Sequence, residues 1–326
     1  MKADELKNIL KDYSKEELIK LYSKTYRMVP KERRETELDE MIQARGAKPE
    51  PKKKDEDFST IRDEVLLFEE NAFAQLYMRR NRSISEKKRR NWRFDVKRYI
   101  KYLDQIPEDS PDYTEATSLM LKIFHVLSTG CGIWLFSTDQ PFQSVGIEQA
   151  MLFDLICERA IKQDNHAEIL KNLIMQSCTC HLDYETLHDI LMDVLLNTFD
   201  ETALLNEIII LTKINIDEES KNFKARRNSY SFSDDQFWHK EHINNYTRLI
   251  LKAYIYLDKP EEGVMYFNEH YTDHSAEVKL YILLKYLDAY ELYDLWLKEY
   301  EAAVKRNIKP RDSLKTDYEE IKKQYL

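Results

Sequence analysis

Ile147-Glu148-Gln149-Ala150-Met151-Leu152-Phe153-Asp154-Leu155-Ile156-Cys157-Glu158-Arg159-Ala160-Ile161 is apolar at ten of its fifteen positions. A helix that is apolar nearly all round belongs inside a protein rather than on its surface. The same pattern continues outward over about 166–180, 184–199 and 201–215. Ile208-Ile209-Ile210-Leu211 looks strand-like by itself. It sits in a longer apolar run with Leu204 and Leu205, which favours helix. The whole chain of 326 residues has only five glycines. Tight hairpins need the positive φ angles that glycine supplies, so a hairpin-rich fold is excluded. The expected class is all-α, with a helical-repeat, solenoid-like body.

Working toward the N-terminus, helices are expected over about 59–79, from Ser85 to before Pro107, and from Ser110-Pro111-Asp112 to Ser128. Residues 47–57 hold two prolines and eight charges and nothing larger than alanine among their apolar residues. Such a stretch cannot offset the entropy of ordering its backbone, so 46–58 is read as a linker. Before it, 1–45 forms a small charged helical unit whose first helix is started by Ser14 and Glu17, a capping box. After it, 59–326 forms the repeat-like domain.

Toward the C-terminus a polar loop is expected at 217–232, followed by a capping box of Ser233 and Gln236. A helix then carries Ile243, Tyr246, Ile250, Ala253 and Leu257 on one stripe, and Pro260 opens the next. The last helices are expected at about 274–288, 290–306 and 313–325. Tyr256-Leu257-Asp258 recurs thirty positions later as Tyr286-Leu287-Asp288, and Glu261 and Glu269 are echoed by Glu291 and Glu299. A period of that order with two helices per unit is the mark of a helical repeat. Ala253-Tyr254-Ile255-Tyr256-Leu257, Pro260-Glu261-Glu262-Gly263 and Tyr266-Phe267 resemble the turn and second helix of a tetratricopeptide-type repeat. The resemblance covers 240–306. The period falls short of 34, and the expected glycine before the turn is missing. The resemblance implies a concave peptide-binding surface, with Tyr254 and Tyr286 as groove aromatics.

The net charge of −9 disfavours general coating of nucleic acid. Four cysteines and no apolar stretch after Met1-Lys2-Ala3-Asp4-Glu5 point to a cytoplasmic chain with reduced thiols. The longest apolar runs are broken by Asp189, Asp193 and Glu207, short of a membrane span.

Three places are candidates for function. Between residues 79 and 98 lie ten basic and two acidic residues, including Arg79, Arg80, Arg82, Lys87, Lys88, Arg89, Arg90 and Arg93, with Trp92 among them. Cations interleaved with an indole can neutralise phosphates and stack on a base. The same charge can equally dock on an acidic face of this chain or of a partner. The second place is 129–146, which holds three of the five glycines. It is read as a long loop, with Trp134 and Phe142 as anchors and Asp139 and Gln140 as polar contacts, or else as a connection packed across the core. The third is Cys178, Cys180 and His181 with Glu185 and His188. Cys178, His181 and Glu185 share a face if the helix continues, yet no four-ligand shell is completed, so no metal and no cofactor are expected. Motifs for phosphate loops, dinucleotide binding, zinc proteases and nucleophile elbows are missing. The leading expectation is therefore an interaction scaffold for a protein partner, without catalysis. Polyanion binding by 79–98 comes second, and an enzyme with a pocket at 129–146 third.

Overall fold

Apolar residues at helical spacing, with little glycine to interrupt them, give helix nearly throughout the computed structural model. It describes residues 10–11, 13–30, 57–164, 166–226, 232–273 and 275–325, with the backbone alone for 222–226, 232–235 and Tyr325. Fourteen helices occur among the described residues: α1 Lys15–Met28, α2 Phe58–Phe73, α3 Glu86–Asp104, α4 Tyr113–Gly132, α5 Pro141–Val145, α6 Gln149–Ala160, α7 Ala167–Thr179, α8 His188–Thr198, α9 Thr202–Arg226, α10 Phe232–Tyr256, α11 Pro260–His270, α12 Ala276–Ala289, α13 Tyr293–Lys305 and α14 Asp312–Tyr325. The fold is all-α and helical-repeat in character, with no strand among the described residues. None of its described helices is long and apolar enough to cross a membrane.

The chain divides into two compact units, Met1–Asp57 and Phe58–Leu326. In the first, α1 starts with the expected box. Glu17 N donates to Ser14 Oγ at 3.3 Å, and Ser14 N donates back to Glu17 at 2.9 Å. The expected linker falls on residues that lie almost wholly outside the described ones, and its last residue, Phe58, opens α2.

In the second unit most helices pack on sequence neighbours: α2 and α3 on α4, α4 on α6, α7 on α8, α9 on α10, α10 on α11, α12 on α13 and α13 on α14. Two apolar clusters result, one from Ile61 to Ala253 and one from Leu251 to Ile321. Helix α10 serves both, with Tyr246, Leu249 and Ala253 in the first and Leu251 in the second. The polar loop expected at 217–232 is helical as far as Arg226, because α9 runs on through its charged residues. The capping box expected at Ser233 and Gln236 is not where α10 begins, since the helix starts at Phe232.

How a chain with so little glycine turns is visible at its helix ends. Gln75, Asp258, Glu291 and Asn307 all have left-handed φ angles, between 57° and 61°. Each closes a helix through paired bonds of the Schellman type. Lys259 N donates to Tyr254 O at 2.9 Å, Leu292 N to Leu287 O at 2.8 Å, and Ile308 N to Ala303 O at 3.0 Å. A residue with a side chain gives up roughly 1–2 kcal/mol in this conformation. The two caps at Asp258 and Glu291 also set the repeat. They lie 33 positions apart, as do the helix starts Pro260 and Tyr293. The structural period is thus 33 residues rather than the 30 of the Tyr-Leu-Asp echo, which aligns residues three places out of register.

Candidate functional site: a tyrosine groove and a basic cleft

The apolar run of α8 is broken at Asp189, Asp193 and Asn197, each four residues after the last. On α10 the polar residues Arg248, Lys252 and Tyr256 recur with the same spacing. Residues four apart lie on one face of a helix. The two ladders meet rung by rung. Arg248 Nη1 donates to Asp189 Oδ2 at 3.2 Å, and Lys252 Nζ lies 2.7 Å from Asp193 Oδ1. Tyr256 Oη donates to Asn197 Oδ1 at 2.8 Å. Helix α12 and its C-cap supply a third set, with Tyr286 Oη donating to Asp189 Oδ1 at 2.6 Å and Tyr290 Oη to Asp193 Oδ1 at 3.4 Å.

Lys252 is only 3% exposed, so its charge must be compensated inside the protein. It also donates to Asp189 O at 3.2 Å and lies 5.8 Å from the centre of the Tyr286 ring. Burial would raise the Asp189 carboxyl, but Arg248, Tyr286 and Lys252 together hold it below the usual carboxylate value. Burial pushes the Tyr286 and Tyr290 hydroxyls upward, which keeps them protonated and able to donate. Above this network opens a groove of about 630 Å³, lined by Tyr256, Tyr281, Ile282, Lys285, Tyr286 and Tyr290. Tyr286 therefore stands where a groove aromatic was expected. Tyr254 does not, because it lies against α11 at Gly263. A Cβ on Gly263 would come within 3.0 Å of both Tyr254 Cβ and Leu251 O, so glycine is what allows α10 and α11 to approach. Tyr256 takes the groove position instead. Sequence reasoning missed Asp189, Asp193, Arg248 and Lys252, although charged residues at four-residue spacing in otherwise apolar helices were a legible signal.

The basic segment and the 129–146 segment, separate in sequence, come together. Tyr77 and Phe136 form a parallel β-bridge, and Ser137 Oγ donates to Tyr77 O at 3.3 Å. Trp92 faces inward with Val96, Tyr99, Ile100 and Leu103. Its ring stacks on Phe136 at 4.1 Å, within a cluster that includes Phe68 and Tyr77. The expectation that Trp92 offers a stacking plane is thus corrected, since its indole is buried in the core. Burying it turns Lys87, Lys88, Arg90 and Arg93 outward. Arg89 is committed to the fold, donating to Asn81 O and, at 2.9 Å, to Ile84 O, which ties the 81–84 turn to the start of α3.

The expected eighteen-residue loop is much shorter, because α4 continues to Gly132 and α5 begins at Pro141. Gly130 and Gly132 are helical, and their reason is space. A Cβ on Gly130 would meet the Phe136 ring at 2.8 Å, and one on Gly132 would meet the His181 imidazole at 2.2 Å. Of the three glycines in this segment, Gly146 alone uses left-handed backbone, at φ 77°. Phe142 is 1% exposed and packs on Phe124, so it belongs to the core and is not an anchor. Asp139 accepts from Tyr184 Oη at 2.7 Å, and Gln140 Nε2 donates to Asp139 O. Trp134 is 67% exposed. It lines a hollow of about 900 Å³ with Arg79, Arg80 and Arg82. An adjoining hollow of about 460 Å³ shares Arg79 and Ser137 and adds Arg90, Arg93 and Thr138.

The cysteine and histidine cluster does not assemble. Helix α7 ends at Thr179, so Cys178, His181 and Glu185 do not follow one helical face. Burial pushes the Cys178 and Cys131 thiols up to about 12. Gln149, buried on α6, pins the following turn by donating to Ser128 Oγ and His181 O and accepting from Asp183 N. His188 opens α8 against Ser177 O at 2.8 Å, and burial lowers its pKa to about 4. His239 and His242 both face Glu219, and His274 lies outside the described residues. No group of three or more metal-ligating side chains occurs among the described residues.

Comparison of the chain with protein-family models, with curated proteins and with solved structures finds no match.

Proposed function

We propose that this chain is a non-catalytic interaction scaffold that holds an extended segment of a partner protein in the groove lined by Tyr256, Tyr281, Tyr286 and Tyr290. The observation that carries the reading is the finished floor of that groove. Lys252, Asp189 and Asp193 satisfy one another, so they form a rigid base beneath rings that are only partly covered. Tyrosine supplies wide contact area and a hydroxyl at a low cost in side-chain entropy, which suits a surface for peptides. The 33-residue spacing between the α10–α11 turn and the α12–α13 turn supports a repeat close to the tetratricopeptide type, whose period is about 34 residues. Thiols pushed above their ordinary range by burial make Cys131 and Cys178 poor nucleophiles.

A displayed peptide library selected on the intact chain tests this reading. Enriched peptides should bind the native chain and lose affinity about tenfold or more on Tyr256→Ala/Tyr290→Ala, as hot-spot truncation does. If nothing is enriched, or if binding ignores that double change, the reading is rejected.

A further inference from the structure

We propose that the basic cleft between the 79–82 turn, the first turns of α3 and the 133–138 connection binds a single-stranded nucleic acid. This site is independent of the tyrosine groove. Its arginines approach from two stretches of chain that the core brings together: Arg79, Arg80 and Arg82 from the turn, Arg90 and Arg93 from α3. Arg90 holds Glu86 at 2.6 Å on the exposed rim, an i,i+4 pair of little worth in water. Arg79, Arg80, Arg82 and Arg93 pair with no carboxylate among the described residues. Asp139, next in sequence to Thr138, is engaged by Tyr184. This charge is therefore not used to hold the fold together.

The shape and the aromatic decide the ligand class. Two hollows share Arg79 and Ser137 in their linings, a track of cations that suits a chain of phosphates better than a single phosphate. Trp134 stands beside that track at 67% exposure, free to stack on an unpaired base. A duplex hides its base faces and leaves such an indole unused. A phosphorylated peptide brings isolated phosphates and no base to stack. Thr138, whose hydroxyl accepts from Gln140 N, still has its O–H to donate within the same lining. The arrangement is the general one for strand binding without sequence readout, cations along the backbone and a ring for the bases.

The test is fluorescence anisotropy of a labelled, mixed-sequence single-stranded oligonucleotide with the intact chain, over a salt series that includes about 0.15 M. Parallel arms use the matching duplex and a phosphorylated peptide of similar charge. The strand should bind most tightly. Arg79→Glu/Arg80→Glu/Arg82→Glu should lower affinity and flatten the slope of log affinity against log salt by roughly 0.7 for each phosphate no longer neutralised. Trp134→Ala should cost roughly tenfold with the slope unchanged, as removal of base stacking does. All four side chains are exposed, so these variants should fold, and circular dichroism checks it. Three results would overturn the assignment: no strand binding at low salt, equal binding of duplex with no effect of Trp134→Ala, or tighter binding of the phosphopeptide through the same residues.

Discussion

The tyrosine groove and the basic cleft are both built from charged and aromatic side chains, yet they treat charge in opposite ways. In the groove floor every cation is committed. Lys252 is buried between Asp189 and Asp193, and Arg248 closes on Asp189. In the cleft the arginines stay in water and most have no acid beside them. Aromatics reverse the pattern, with rings open in the groove while Trp92 and Phe136 are buried under the cleft and only Trp134 is left outside. Buried charge is architecture, because removing one member strands the other. Exposed unpaired charge contributes little to stability and remains available to a ligand.

Substitutions can break or sharpen that contrast. The largest effect is expected in the groove. Lys252→Ala leaves Asp193 without its cation while Asp189 keeps Arg248; both carboxylates are partly in water, so the loss should be about 2–3 kcal/mol in denaturant unfolding. A loss under about 1 kcal/mol would mean that the network is wetter than its burial indicates.

Acid should act on the same region. His188 stays neutral in the folded chain down to about pH 4, while the unfolded chain protonates it near pH 6.5. The unfolded state then binds more protons. The contribution is complete above pH 6.5 and is lost as pH falls toward 4, by roughly 2–3 kcal/mol in all. Asp189 adds loss in the same direction at lower pH, because its carboxyl is held below the usual value. His188→Gln should flatten the upper part of that profile, and an unchanged profile would assign the acid sensitivity elsewhere.

Beneath the cleft, Gly130→Ala should cost about 1–2 kcal/mol. The new methyl meets the Phe136 ring, which is stacked on Trp92 and cannot give way. The smallest effect belongs to the cleft itself. Arg79→Glu/Arg80→Glu/Arg82→Glu should change stability by no more than about 0.5 kcal/mol. A larger loss would make those arginines structural and end the contrast.

Much of this layout was legible in the amino-acid sequence. The inner helix at 147–161 appears as α6, Ser85 caps α3 through Lys88 N, and Pro260 opens α11. What stayed hidden depended on packing between distant stretches. The glycines at 130 and 132 suggested a loop, but only the positions of Phe136 and His181 show that they are spacers inside a helix. Trp92 among arginines suggested a stacking plane, whereas the helical stripe it shares with Val96, Tyr99 and Leu103 turns it inward. The true repeat length escaped because Asp258 and Glu291 take left-handed turns that glycine usually marks. The groove floor escaped for a different reason. The four-residue spacing of Asp189 and Asp193, and of Arg248 and Lys252, is visible in the sequence, but the two ladders become a site only when α8 and α10 lie side by side.

Hydrogen exchange of the intact chain, with and without a peptide selected on it, tests the central claim most directly. The account predicts slowed exchange in His188–Thr198, Ala276–Ala289 and the end of Phe232–Tyr256, the helices that wall the groove. Slowing confined to other helices, with those three unchanged, would contradict it.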